Sequence, residues 1–190
     1  MAQQYTRREI REKFVQMLNT RPLSKITVKD LVAECGINRN TFYYYYSDLY
    51  AILEEIFQTE LQKVIDEYND TASWEESFLL AAKFALENKK AIYYIYNSMQ
   101  REELEQFLFR SAGSVMTRFV ESRSVGIAAS KKDKDLIASF YQCALTQTLL
   151  QWVSSGMKEE PKAIISRIGV LFDGNIELSL RRSAELGDTW

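Results

Sequence analysis

The amino-acid sequence predicts an all-α protein, and three observations carry that prediction. Only two prolines and seven glycines interrupt 190 residues. Charged and apolar residues alternate with helical spacing along the whole chain. Four Ser/Thr residues stand three places before an acid: Thr6 with Glu9, Thr27 with Asp30, Ser73 with Glu76, and Ser130 with Asp133. In such a capping box the hydroxyl accepts from the third backbone N–H while the acid reaches back, so each pair marks a helix start.

The breaks place the elements in order. They fall at "RPLS" (21–24), Gly36, "NDTAS" (69–73), "SVGIAAS" (124–130) and "SSGMKEEP" (154–161). Between them the spacing predicts helices over about 6–20, 27–35, 39–46, 48–68, 73–88, 90–97, 102–123, 131–155 and 161–183. No internal repeat or low-complexity tract is present. The first three helices are short and need a shared small core; the candidates are Ile10, Phe14, Leu18, Ile26, Val28, Leu31, Val32, Ile37, Phe42 and Tyr46. This divides the chain into a head, 1–50, and a body, 51–190, with the fourth helix (48–68) as the connector.

Composition narrows the function. A hydrophobic content of 46% supports one moderate core, or a small module fused to a larger one. No stretch approaches the roughly 20 apolar residues of a membrane span, and "MAQQYTRREIREKF" lacks the apolar core of a secretory signal. A cytoplasmic protein with no membrane partner is expected. Cys35 and Cys143 lie far apart among apolar neighbours and read as reduced, buried thiols. The chain has no histidine, which removes the commonest general base and transition-metal ligand. It also lacks a glycine-rich phosphate loop and an evident pair of catalytic acids. The expectation is therefore a protein that is not an enzyme and holds neither cofactor nor metal. Charge is unevenly spread: the first 50 residues carry eight Lys/Arg against five Asp/Glu, the remainder 16 against 21. A basic head on an acidic body suits contact with a polyanion.

The segment "TVKDLVAECGINRNTFYYYY" sharpens that reading. Thr27 opens a short helix, Gly36 can end it in the left-handed conformation, and Asn38 can cap the next. Two short helices joined by a tight glycine turn form a helix-turn-helix unit, whose second helix enters the DNA major groove. Winding at about 100° per residue puts Phe42, Tyr46 and, at the rim, Tyr45 on one side. Asn40, Tyr43 and Tyr44 fall on the other, with Arg39 and Thr41 flanking them. Outward tyrosines can donate to phosphates or lie against sugars and thymine methyls. Arg39 can pair with phosphate or guanine, and Asn38 and Asn40 with adenine or phosphate. Thr27 and the free N–H groups beside it can hold a further phosphate. The partner these residues call for is a double-stranded DNA operator.

The two long C-terminal helices carry broad apolar stripes. One runs through Phe140, Ala144, Leu145, Leu149 and Trp152, the other through Ile168, Phe172 and Ile176. Stripes of this width exceed the needs of a small bundle, and burial against a second copy, a homodimer, is expected. The middle of the chain is crowded with aromatic rings. These suit a plain core and an apolar pocket equally; for a pocket, Tyr93, Tyr96, Gln100, Arg110 and Gln147 are the polar candidates.

"TVKDLVAECGINRNTFYYYYSDLYAIL" closely resembles the DNA-binding domain of the tetracycline-repressor (TetR) family of bacterial transcription regulators. The likeness covers roughly residues 7–60. It implies DNA contacts at Thr27, Asn38, Arg39, Asn40, Thr41, Tyr43, Tyr44 and Tyr45. It also implies a homodimer on a palindromic operator, with C-terminal helices forming a four-helix interface and the body releasing the DNA on binding an effector, most often as a repressor. Two departures stand out: Tyr45 occupies a place where many members have His, and Asp48 one where Lys is common. More loosely, "DLYAILEEIF", "LENKKAIYYIYNSMQREELEQFL" and "LTQTLLQWVSSGMKEEPKAIISRI" resemble the subgroup that regulates dihydroxyacetone-kinase operons. That likeness implies the alternative of a transcriptional activator or coactivator controlled by a partner protein instead of a small molecule.

Overall fold

A computed structural model describes residues 2–187, excluding the side chains of residues 2–4 and 70. The described residues fold into α-helices and one short 3₁₀ turn, Leu23–Lys25. The helices are α1 (Ala2–Leu18), α2 (Val28–Glu34), α3 (Arg39–Tyr45), α4 (Leu49–Thr71) and α5 (Trp74–Glu87), then α6 (Lys89–Tyr96), α7 (Arg101–Arg123), α8 (Lys131–Ser154), α9 (Pro161–Leu171) and α10 (Asn175–Leu186).

Three of the four capping pairs act as helix starts. Thr27 and Asp30 complete a reciprocal box, Ser73 accepts from the Glu76 N–H, and Ser130 accepts from the Asp133 N–H. Thr6 does not, because α1 begins four residues earlier at Ala2 and leaves Thr6 inside the helix. The predicted helix over 161–183 is two helices. Gly174 takes a left-handed φ of +71° and interrupts the pattern between Leu171 and Asn175, a turn signal hidden in the apolar run "VLFDGNI".

Helices α1 to α3 and the start of α4 share one core. Ile10, Phe14, Leu31, Phe42 and Ile52 are wholly buried there, with Leu18, Ile26, Val32 and Tyr46 nearly so; Val28 and Ile37 pack at its edge. Polar ties fasten α1 to α4: Arg7 Nε and Arg11 Nη1 each donate to the Glu55 carboxylate at 3.0 Å. Tyr46 lies beneath the first of these guanidiniums, whose Cζ stands 5.7 Å from the ring centroid.

In the body, α7 and α8 form the most extensive helix pair, and α4 runs along α5 and α7. Phe57 of α4 stacks on Phe107 of α7 with centroids 5.0 Å apart and an interplanar angle of 13°. Helix α5 packs on α9, while α10 packs on α7 and α8. A second polar tie joins head to body. Asn19, just past α1, donates from Nδ2 to Asn88 Oδ1 at 3.1 Å, and its own Oδ1 accepts from the Ala91 N–H at 3.2 Å.

The cysteines differ from the buried pair expected. Cys35 is half-buried against the head core, and burial pushes its thiol up to about 11, so it stays protonated at neutral pH. Cys143 is exposed on α8, because the apolar sequence around it covers more than one face of that helix.

Burial also raises the Tyr46 phenol from 10.0 to about 12, with the charge of Glu55 adding to the effect. The unfolded chain therefore releases this proton first as pH rises, and stability falls between pH 10.0 and about 12. Tyr46→Phe should flatten the loss over that window. Denaturant titrations of both proteins at stepped alkaline pH check this; identical pH profiles contradict it.

Candidate nucleic-acid interface

Helix α2 ends in a Schellman arrangement. The Gly36 N–H donates to the Ala33 carbonyl at 3.2 Å and the Ile37 N–H to Val32 at 3.0 Å. Gly36 sits at φ +63° with open space around its Cα, so backbone conformation and not crowding demands glycine there. The next cap follows at once: Asn38 Oδ1 accepts from the Thr41 N–H at 2.8 Å and from the Thr41 hydroxyl at 3.1 Å. Together the two motifs set the angle of α3 against α2.

Helix α3 then divides its four tyrosines. Phe42 is 0% exposed and Tyr46 4%, whereas Tyr43 is 57% and Tyr44 70% exposed; Tyr45 is half-buried. Tyr46 reaches the core from the helix's C-cap, in extended conformation, with its N–H on the Phe42 carbonyl. Its Oη is buried beside Arg7 and Glu55 without meeting hydrogen-bond geometry to either. Tyr43 stands edge-on to Phe42 at 5.2 Å, and Tyr44 edge-on to Tyr45 at 5.0 Å. The outer rings are thus buttressed by the inner ones and held upright on an exposed face.

Around them, Asn38, Arg39 and Asn40 are exposed and Thr41 is half-buried. Arg39, the one charged residue of α3, has no ion pair or hydrogen bond among the described residues. Asn38 and Thr41 are engaged with one another through the cap, which leaves the Asn38 amide nitrogen as its outward donor. Thr27 is exposed, but its N–H and hydroxyl both donate to Asp30 Oδ2, at 3.1 and 2.8 Å. Those two hydrogen bonds hold the Asp30 carboxyl below the usual carboxylate range. An anion arriving here meets a persistent negative charge, with Arg21 Nη2 3.6 Å away. Two further side chains of the head are exposed, Lys29 of α2 and Tyr50 of α4; the basic count of the head includes the first, and nothing in the pattern points to the second.

The unexpected acid at position 48 has a clear local role. Asp48 is the N-cap of α4, its Oδ1 accepting from the Ala51 N–H at 2.9 Å.

The five polar candidates for a body pocket do not line one cavity. Tyr93 is exposed, and Tyr96 is covered by the Arg101 guanidinium 4.4 Å above its ring. The Gln100 N–H donates to Ser98 Oγ, and Gln147 is exposed on α8. Arg110 borders an open groove with Phe109, Thr146 and Leu150. A more enclosed cleft of about 210 Å³ lies elsewhere, where α5, α7, α8 and the α9–α10 junction meet. Of the eight residues expected at a dimer interface, Leu145, Leu149, Trp152 and Ile176 are buried within the single chain and Ile168 half-buried. Phe140, Ala144 and Phe172 are exposed. The stripes are broad because one side of each serves this chain's own core.

Residues 10–56 match the family model described as bacterial regulatory proteins, tetR family, and residues 72–174 the model described as transcriptional regulator C-terminal region. The HTH-type dhaKLM operon transcriptional activator DhaS of Lactococcus lactis subsp. lactis (strain IL1403) is 27% identical over 89 residues. That match covers 47% of this chain and 46% of the relative, so it spans about half the length of each. The solved structure of a dihydroxyacetone kinase operon activator DhaS shares the fold, with a TM-score of 0.77 over 91% of this chain and 97% of the other, at 19% identity.

Replacing Asp48 by Ala should lower stability by about 1 kcal/mol through loss of the α4 cap. Asp48→Asn, which keeps the acceptor, should restore most of it. Equal melting of all three proteins contradicts the capping role.

Proposed function

Because the chain belongs to the TetR family of bacterial transcription regulators, we propose that it acts as a homodimer on a palindromic operator, as a repressor released when a small-molecule effector enters its body. Residues 1–50 form the DNA-reading head, α4 is the connector, and residues 51–190 receive the signal and dimerise. The observation that carries the DNA reading is the division of α3: Phe42 and Tyr46 turn inward while Arg39, Asn40, Tyr43 and Tyr44 are presented on one exposed face. Arg39, Asn40 and the Asn38 amide supply base-edge or phosphate donors, the two outer tyrosines supply hydroxyls and flat apolar surface, and Thr27, Thr41 and Tyr45 complete the rim. Asp48 stays outside the contact set, since its carboxylate is spent on the α4 cap.

The homodimer reading is supported by apolar side chains left on the surface of the C-terminal helices. Leu136 and Phe140 of α8, Val170 and Leu171 of α9, and Leu178 of α10 are each 46% exposed or more. They lie on the last three helices, where a second copy could cover them. A second reading is favoured by the relative that is named a transcriptional activator. In it the chain activates its operon, of the dihydroxyacetone-kinase type, and a partner protein binding the body sets its activity. Titrating the operator complex with metabolites and, separately, with candidate partner proteins separates the two, since only the true signal changes DNA occupancy.

Selecting bound duplexes from a random pool should return a two-fold symmetric sequence. On that operator, Arg39→Ala combined with Tyr43→Ala should cost roughly 30-fold or more in affinity, each good contact being worth about 1–3 kcal/mol. Binding should also weaken steeply with salt through counterion release. A folded double variant of unchanged affinity sinks the assignment. Phe140→Asp should convert a dimer into monomers in sedimentation and weaken operator binding with it; a variant that remains dimeric removes α8 from the interface.

A further inference from the structure

The cleft of about 210 Å³ lies at the opposite end of α4 from the DNA-reading face. Helix α4 begins at the Asp48 cap beside α3 and ends at Ala72, which lines the cleft. At 1.5 Å per residue its 23 residues put roughly 35 Å between the two ends. The far end is anchored, with Arg118 Nη1 of α7 donating to Asn69 Oδ1 at 2.9 Å.

The cleft is built from buried apolar side chains below, Trp74, Met116 and Leu145 among them, with Phe119 and Tyr141 half-buried on its walls and Phe172 exposed. Three carboxylates line it, those of Glu75, Asp173 and Glu177, against one guanidinium, that of Arg123. Arg123 is already committed, with Nη1 3.2 Å from Glu177 and its Cζ 4.9 Å from the Phe119 centroid. Glu75 lies against the bare backbone of Gly169, where a Cβ would come within 3.0 Å of its Oε1, and its Oε2 accepts from Ser73 Oγ at 3.2 Å. Among the described residues no Lys or Arg forms an ion pair with Glu75 or Asp173.

The N-terminal ends of α5 and α10 also border the cleft, and helix N-termini favour anions. Each carries a partial charge of about +0.5, and each already has an acid in its first turn, Glu75 and Glu177 respectively. Two half-charges and one guanidinium against three carboxylates leave the lining negative. An anionic ligand is thereby disfavoured. A cation gains twice, from the net negative lining and from the aromatic rings of Trp74, Tyr141 and Phe172. The Tyr141 phenol is held above its ordinary value by burial and by the charge of Glu177, so it remains a neutral donor beside them.

We propose that this cleft is a binding site for a small organic cation, an ammonium carried on an apolar or aromatic body, with Glu75 and Asp173 facing the charge and Trp74, Tyr141 and Phe172 enclosing the body. The site deepens, and its regulatory meaning rests on, the effector-controlled reading above. A ligand seated against Ala72 and Trp74 bears on the end of α4, the same helix that carries the Asp48 cap and Glu55 at the head.

Isothermal titration of the full chain with benzyltrimethylammonium, N,N-dimethylbenzamide and phenylacetate compares one aromatic body in cationic, neutral and anionic form. Saturable binding of the cation is expected, about tenfold or more tighter than the neutral amide, with the anion weakest. The Glu75→Gln/Asp173→Asn double variant, shown to be folded by its helical circular dichroism and cooperative melting, should lose that preference. Equal affinities for cation and amide, no saturable binding of the cation at millimolar concentration, or a folded double variant that still prefers the cation each overturn the proposal. Operator selection on the same preparation separates the two readings. A chain that binds DNA but not the cation refutes this site alone; one that binds the cation but no DNA keeps the site and refutes the regulator.

Discussion

A seven-residue helix is not stable by itself in water, and the exposed face proposed to read DNA is mounted on one. Everything functional about α3 therefore depends on how its inner edge is held. Phe42 is wholly enclosed, Tyr46 leaves the helix in extended conformation and plugs the same core, and Asn38 closes the helix at the other end. The Schellman turn at Gly36 removes the remaining freedom by fixing the direction in which the chain leaves α2. With those restraints in place, Tyr43 and Tyr44 have no core position left to occupy, and they stand outward, braced edge-on by Phe42 and Tyr45.

The same restraint extends from the head into the body. Glu55 accepts from Arg7 and Arg11, so a single carboxylate of α4 holds α1 at two points. Asn19 and Asn88 tie the end of α1 to the α5–α6 junction. These ties and the shared core link α4 and that junction to α1, and α1 to α3, in one continuous set of contacts. The packed side chains within it resist compression.

The head was legible because its determinants are local. A capping residue, a glycine needing positive φ and a 3.6-residue period act over three to five positions, so Thr27, Gly36, Asn38 and the inward Phe42 could be read from neighbours in the chain. Asp48 could not be settled that way. It stands where the resemblance leads one to expect Lys, and only the 2.9 Å hydrogen bond from Ala51 shows where the carboxylate is engaged. Thr6 failed for a related reason: a capping pair also occurs inside a helix, and the sequence holds no rule for which one applies.

In the body the sequence alone determined a set of amphipathic helices, the approximate ends of all but the last, and a surplus of apolar residues toward the C-terminus. It could not determine how that surplus is shared, since inward and outward positions on a helix apolar on several faces look alike. Tertiary packing decided that Leu145, Leu149 and Trp152 serve this chain's core while Phe140 and Ala144 face out. It also decided where the enclosed cleft lies. That cleft joins Glu75, Arg123, Tyr141 and Asp173, which are distant in sequence and meet where α5, α7, α8 and the α9–α10 junction pack together. A period can report which face of a helix is apolar, but which helix fills the space opposite is set by packing between residues far apart in the chain.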